Sequence, residues 1–384
     1  LFNIKPPARR AYAPEGHAKK ITTGIWLIFR GLFFEYNPRE IGSAFHGASA
    51  ETCPPLADWA KRPFMDGHLG VYEMSTFIPS YIETYKQGLL ASKIETAYEI
   101  LKSCTLCPRK CKVDRLTGET GVCKTGEKAY ISSFNAHFGE EDPLVGTHGS
   151  GTIFFTHCNL LCIFCQNYDI SHLEHGEEIT NEQLAGIMIH LQNKGCHNIN
   201  FVTPSHVVPQ ILSALEIAIP EGLSVPLVYN TGGYDSVKTL KLLEGVFDIY
   251  MPDFKFWDPE IAKTTCNAKD YPEIAQKALI EMHRQVGDLV TDDRGIAQSG
   301  ILLRHLVLPF GLAGTREIMR FIARKISLNT YVNIMPQYRP CGRADEVKEL
   351  SVYLSQKDYE AALKMAKDEG IERLDSRRRR FMIF

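Results

Sequence analysis

Between residues 152 and 334 the chain states one pattern six times: a short apolar, β-branched run, then a stretch with helical spacing. The runs fall at 152–156, 198–202, 227–229, 247–251, 301–308 and 331–334. A strand that is apolar along its whole length is buried on both faces, and helices between such strands make the sheet parallel. Helices are predicted at 209–219, 236–243, 271–286 and 315–326. Another opens at Thr180, where Gln183 completes a capping box, and ends near Gly195. The predicted fold class is α/β, and six units rather than eight point to a partial (β/α)6 barrel.

Ahead of this core, Ile82, Tyr85, Leu89, Ile94, Ala97 and Leu101 recur at helical spacing, with Gly88 as a break. Behind it, Ser355 with Asp358 caps a last helix running toward Gly370. The organisation read from these signals has four parts. They are an N-terminal extension of unassigned role at 1–78, helices and a cysteine-rich segment at 79–148, the core at 149–341, and a C-terminal helix with a basic tail at 342–384.

Cys158, Cys162 and Cys165 follow the first strand with C-x3-C-x2-C spacing. Thiolates are soft ligands that select zinc, copper(I) or iron–sulfur clusters. Structural zinc and electron-carrying cubanes take four protein ligands, and here the local set stops at three. The readings are buried core thiols, a zinc site borrowing His157 or a distant cysteine, and a cubane with one iron left open. Clustering of three cysteines among Asn159, Gln166 and Asn167 favours the cubane. Disulfides are disfavoured, because the 11 cysteines are odd in number and the chain is large.

The surrounding segments add a resemblance. HFGEEDP (137–143), GSGTIFFTHCNLLCIFCQNYDISH (149–172), GCHNINFVTPSH (195–206), VYNTGGY (228–234), DIYMPDFKF (248–256), RHLVLP (304–309) and VNIMPQY (332–338) occur in this order. Together they resemble the radical S-adenosylmethionine (SAM) superfamily, in a branch similar to the activating enzymes of pyruvate formate-lyase. The resemblance runs from about residue 80 to about residue 375. It implies a [4Fe-4S] cluster on Cys158, Cys162 and Cys165 whose open iron binds SAM. An electron from a flavodoxin or ferredoxin would then release a 5′-deoxyadenosyl radical that abstracts hydrogen from a protein or small-molecule substrate. A glycyl-radical protein is one such target.

Sites on parallel barrels lie at the C-terminal strand ends, and here those ends are polar. Thr203, Ser205 and His206 follow the second strand, Asn230 and Thr231 the third, and Asp253 and Lys255 the fourth. Arg304 and His305 interrupt the fifth, and Gln337 and Tyr338 close the sixth. The residues alone also allow an Asp253–Lys255 ion pair, core histidines at 206 and 305, and turn chemistry at Asn230. By resemblance, Asn230, Thr231, Asp253, Lys255 and Arg304 would hold SAM. The activating enzymes carry a Gly-Gly-Glu at the second strand to hold the cofactor's amino group, whereas this chain has VTPSH with no carboxylate.

Cys104, Cys107, Cys111 and Cys123 form a second group, with Gly118 and Gly121 able to turn the last cysteine back toward the others. Four thiolates make a closed site, either structural zinc or an auxiliary iron–sulfur cluster. Cys53, Cys196, Cys266 and Cys341 read as isolated structural cysteines. A net charge of −2 gives no reason to expect nucleic-acid or membrane partners. Reduced cysteines fit the cytoplasm, although residues 1–30, basic except for Glu15 but lacking serine, partly resemble a transit segment. The rival to an enzyme is a non-catalytic iron–sulfur or zinc protein of electron transfer or assembly, which would have no use for the polar strand ends.

Overall fold

The structure, a computed structural model, describes residues 77–375. Predictions for residues 1–76 and for the Arg377–Arg380 tail lie outside them. In chain order the strands are β1 (Ala129–His137), β2 (Ser150–Phe155), β3 (Glu177–Ile179), β4 (Ile199–Val202), β5 (Leu227–Thr231), β6 (Ile249–Pro252), β7 (Val290–Thr291), β8 (Ala297–Leu306) and β9 (Tyr331–Met335). The six predicted strands are β2, β4, β5, β6, β8 and β9, which pair in that order and run parallel. Antiparallel additions flank them: β1 on β2, β3 on β1, and β7 on β8.

Helices α1 (Ser80–Lys86) and α2 (Leu89–Leu101) precede the sheet, and Gly88, at φ +71°, breaks them where the sequence predicts. Short α3 (Asp142–Val145) and α4 (Tyr168–Ser171) follow β1 and β2. The crossovers carry α5 (Asn181–Asn193), α6 (Val208–Ala218), α7 (Val237–Leu242), α8 (Pro259–Cys266), α9 (Tyr271–Val286) and α10 (Thr315–Phe321). Helix α11 (Gln356–Asp368) closes the described chain. At α5 both halves of the Thr180–Gln183 capping box are made. The helix predicted at 315–326 is α-helical only to Phe321 and then widens into a π turn. None of these helices is long and apolar enough to cross a membrane.

Strand periodicity divides the side chains between two faces. Ile153, Phe155, Phe201, Tyr229, Ile301 and Ile334 pack with the helices in the large core. Val228, Met251 and Leu302 turn the other way and meet Leu144 of α3. Toward the strand ends this second face becomes polar, and Asn230, Asp253 and Arg304 project there.

Helix α1 has Pro79 at its N-cap, which offers no side-chain acceptor. Asp248, just before β6, takes that place by accepting from the Ser80 amide (2.8 Å) and hydroxyl (2.9 Å) and from the Leu227 amide. Burial pushes the Asp248 carboxyl up to about 6. A carboxyl raised in the folded state adds stability below its unfolded pKa, and this is lost as pH rises through the folded value. Between about pH 4 and pH 6.5 the contribution therefore falls by about 3 kcal/mol. Urea unfolding of the wild type and of Asp248→Asn across this window should show the step only in the wild type, and parallel curves would refute it.

Candidate functional site

The loop from β2 to α4 leaves the sheet at Thr156, whose amide still bonds Tyr130. It turns sharply because His157 (φ +74°) and Leu161 (φ +58°) are left-handed. Bonds from Ile163 to the Thr265 carbonyl (2.9 Å) and from Arg343 to the Ile163 carbonyl (2.7 Å) tie the loop to α8 and to the chain after β9. Gly342 passes so close that a Cβ there would meet the Ile163 carbonyl oxygen at 2.5 Å, and its φ of +57° suits glycine.

Cys158, Cys162 and Cys165 thus line one cavity of about 240 Å³ together with Asn230, Thr231, Asp253, Lys255 and Arg304. Residues from five parallel strands or their ends meet the loop there: Val202 and Thr203, Asn230 and Thr231, Asp253, Arg304 and Leu306, and Met335. Every sequence-predicted residue of the first cysteine group and of the cofactor set lies on this wall.

Its charges are arranged around Asp253. One carboxylate oxygen accepts from Arg304 Nε at 2.7 Å and the other from Lys255 Nζ at 2.5 Å. Arg304 also donates to Asn230 Oδ1 (2.7 Å) and reaches Glu140 at 3.5 Å. Burial alone would raise the Asp253 carboxyl, but Arg304 and Lys255 outweigh it and hold the group below its ordinary value. The ion pair foreseen between Asp253 and Lys255 exists, and it sits on the cavity wall. Thr231 lines the cavity while its hydroxyl donates to Asp235 at 2.6 Å. Gly233 at φ +80° lets that turn pass Asp253, whose carbonyl oxygen a Cβ would meet at 2.2 Å.

As free thiols the cysteines are held protonated. Burial pushes Cys158 up to about 12 and also raises Cys165. Cys162 is raised first by its hydrogen bond to Cys266 and then by burial. The Sγ atoms of Cys162 and Cys266 are 3.2 Å apart, so Cys266 is not the isolated cysteine that its sequence position implied. It is absent from the cavity lining and stands behind Cys162. Cys158 Sγ accepts from the Leu160 amide at 3.3 Å.

The strand-end histidines are buried away from this cavity. His206 donates to the Thr156 carbonyl at 3.0 Å, and burial, then Arg115, lowers it to about 3. His305 is bonded at both nitrogens, to Phe254 O and Thr315 Oγ1, and burial lowers it to about 4. Ser205 bonds the buried Asp235 rather than facing the cavity. Gln337 does reach the cavity, with a buried side-chain oxygen that has no protein partner. Thr203 lines it in a left-handed conformation (φ +62°), a strained state for a β-branched residue.

Cys104, Cys107, Cys111 and Cys123 line a second, smaller cavity with Arg115 and His206. Lys110, Lys112 and Lys124 are left-handed, and the Cys104 amide and carbonyl bond Val113 and Lys112, which folds the segment back on itself. A Cβ at Gly121 would meet Cys111 Sγ at 2.6 Å. Burial pushes Cys107 up to about 12 and raises Cys123. Among the described residues, no three His, Cys, Asp or Glu side chains are arranged to hold a metal ion as the thiols stand.

A profile of the Radical SAM superfamily matches residues 152–292. The uncharacterized protein MJ0674 of Methanocaldococcus jannaschii is 34% identical over 299 residues, which cover 76% of this chain and 82% of that protein. The solved structure of native anSMEcpe with bound AdoMet aligns with a TM-score of 0.37 and 14% identity, over 56% of this chain and 57% of that one.

Proposed function

The chain belongs to the family of the Methanocaldococcus protein and carries a radical SAM domain, and from that premise we propose that it is a SAM-cleaving iron–sulfur enzyme. The observation that carries this reading is the shared cavity of Cys158, Cys162 and Cys165 with the Asn230–Arg304–Asp253–Lys255 network. We read the parallel strands as a partial (β/α)6 barrel of the radical SAM type, with residues 149–341 as its core.

The donor set fits a cluster. Three soft sulfurs face one cavity, an amide donates to Cys158 Sγ, and no other cysteine among the described residues lines it. Cys158, Cys162 and Cys165 would hold a [4Fe-4S] cluster that, when loaded and reduced, supplies the electron cleaving SAM to a 5′-deoxyadenosyl radical. Arg304 and Lys255 would present positive charge to the cofactor's carboxylate, and Asn230 and Thr231, on the same wall, would serve its sugar. Asp253 is the one carboxylate on the lining among the described residues, and both its oxygens are bonded. The ammonium therefore falls to neutral acceptors, and Gln337 with its unpartnered buried oxygen is the residue we assign.

The segment at 79–148 is the second metal-binding part in this reading, with zinc or a further cluster on Cys104, Cys107, Cys111 and Cys123. A flavodoxin or ferredoxin of a reducing, cytoplasmic compartment is the electron donor. The resemblance of the cofactor-side segments supports, as the finer reading, an activating enzyme that takes hydrogen from a glycine of a protein partner.

The deciding experiment loads the full chain anaerobically with ferrous iron and sulfide, adds a strong reductant and SAM, and measures 5′-deoxyadenosine and methionine. Formation of both is expected. A fully loaded, reduced chain that leaves SAM intact would return the protein to the non-catalytic class.

A further inference from the structure

Arg109 leaves the turn between Cys107 and Cys111 and crosses to the other cysteine group. Its Nε donates to the Asn159 carbonyl at 2.8 Å, and Nη2 donates to Leu160 (3.1 Å) and Cys266 (2.8 Å). Nη1 donates to Asn267 at 2.5 Å, and the guanidinium lies over the Tyr234 ring, 5.2 Å from its centre. Asn159 and Leu160 belong to the turn between Cys158 and Cys162, and Cys266 is the residue whose thiol touches Cys162. Asn159 also hydrogen-bonds the Cys107 thiol through its side chain and donates Nδ2 to Tyr234 O at 2.8 Å.

One planar fork therefore joins the four-cysteine turn to the turn that leads into Cys162 and to the helix end whose Cys266 touches its sulfur. Arginine suits this because its five donors are fixed in one plane, so they find four carbonyls only if the turn bearing it is itself fixed. That turn is not intrinsically stable. Lys110 (φ +45°) and Lys112 (φ +58°) occupy a region that costs about 1–2 kcal/mol per non-glycine residue. Four cysteines, three of them buried, also line the small cavity beside them. A metal on those sulfurs would offset both penalties, because metal binding and local folding are one free energy.

We propose that loading of the four-cysteine site fixes Arg109 as a positioning residue, and that Arg109 in turn holds the Cys158–Cys162 turn ready for its cluster. This rests on the reading of Cys158, Cys162 and Cys165 as cluster ligands. Coupling of this kind is one shared free energy, and with the four-cysteine site filling first the whole gain is read at the three-cysteine site.

The test is an anaerobic titration of full-length chains with ferrous iron and sulfide, following iron bound per chain. The chains are the wild type, Arg109→Gln, Arg109→Lys, Cys111→Ser, and one with Cys158, Cys162 and Cys165 all changed to Ser. The wild type minus the triple-serine chain isolates the three-cysteine component. Arg109→Gln should shift that component to about tenfold more iron and leave the four-cysteine component unmoved. General damage to the fold would not leave the latter intact. Arg109→Lys keeps the charge without the fork and should behave like Gln. Cys111→Ser should weaken both components. Superposition of Arg109→Gln on the wild type, full recovery by lysine, or a normal three-cysteine component in Cys111→Ser would each overturn the coupling. A wild type that coincides with the triple-serine chain would remove the cluster itself, and both readings with it.

Discussion

Serine at Cys162 is expected to abolish cluster binding at the three-cysteine site and to lower SAM cleavage by more than about a hundredfold, whereas serine at Cys266 should leave both in place. Groups that merely orient a metal ligand are worth about 10–100-fold, so loss of a ligand exceeds that scale. The contrast between the two cysteines is the informative part. Their sulfurs are 3.2 Å apart and both are buried, so burial and proximity alone would give them one role. Only Cys162 lines the cavity with Cys158 and Cys165. Cys266 ends α8 and faces Cys162 from behind, where serine can still donate a hydrogen bond to the sulfur. Iron content and 5′-deoxyadenosine yield measured on the two variants decide the matter. Equal losses would make Cys266 a fourth ligand and take away the open position on which cofactor binding depends.

The contrast also shows where the sequence stops being readable. Cys158, Cys162 and Cys165 are legible because their spacing is local and one turn of backbone brings them together. Cys266 lies 104 residues from its neighbour, and no spacing rule reports that contact. The cross-links made by Arg109 escape notice for the same reason, since their partners sit on distant segments. The parallel strands were legible from continuous apolar runs, and α5 from a capping box that the structure makes in full. Strands β1 and β3 were not, because both are only partly buried and polar residues break up their apolar positions, so neither carries such a run. Helix α8 went unseen despite Asp258 at its cap and Pro259 at its first position, because eight residues are too few for a period to emerge. The strand ends were identified as polar, but polarity did not separate residues facing the cavity from residues bonded within the core. Asn230 and Arg304 proved to be the former, and His305 the latter. That distinction is a matter of which face of the strand a residue occupies: Arg304 and His305 are adjacent and point to opposite sides.

Asp253→Asn should destabilise the fold by about 3–5 kcal/mol and remove SAM binding, the expected scale for breaking one partner out of a buried charge group. The amide keeps the shape of the carboxylate but leaves Arg304 and Lys255 as buried cations that had shared one anion. Arg304 retains Asn230 and a distant contact with Glu140, whereas Lys255 makes no other ion pair among the described residues. The pH dependence separates this from a loss of packing. In the wild type Asp253 is held below its ordinary pKa, so its contribution is present above the unfolded value near 3.9 and is lost only as pH falls through the folded one. Between about pH 5 and pH 7 the deficit of the variant should therefore be constant. At higher pH it should shrink, because Lys255 without its carboxylate is left to burial, which lowers an ammonium's pKa, and on losing its proton it relieves the uncompensated charge. Urea midpoints at pH 5, 7 and 9 measure this. A deficit that persists undiminished at pH 9 would mean that the carboxylate acts through shape and hydrogen bonding rather than charge, and the electrostatic account of the cavity wall would fail with it.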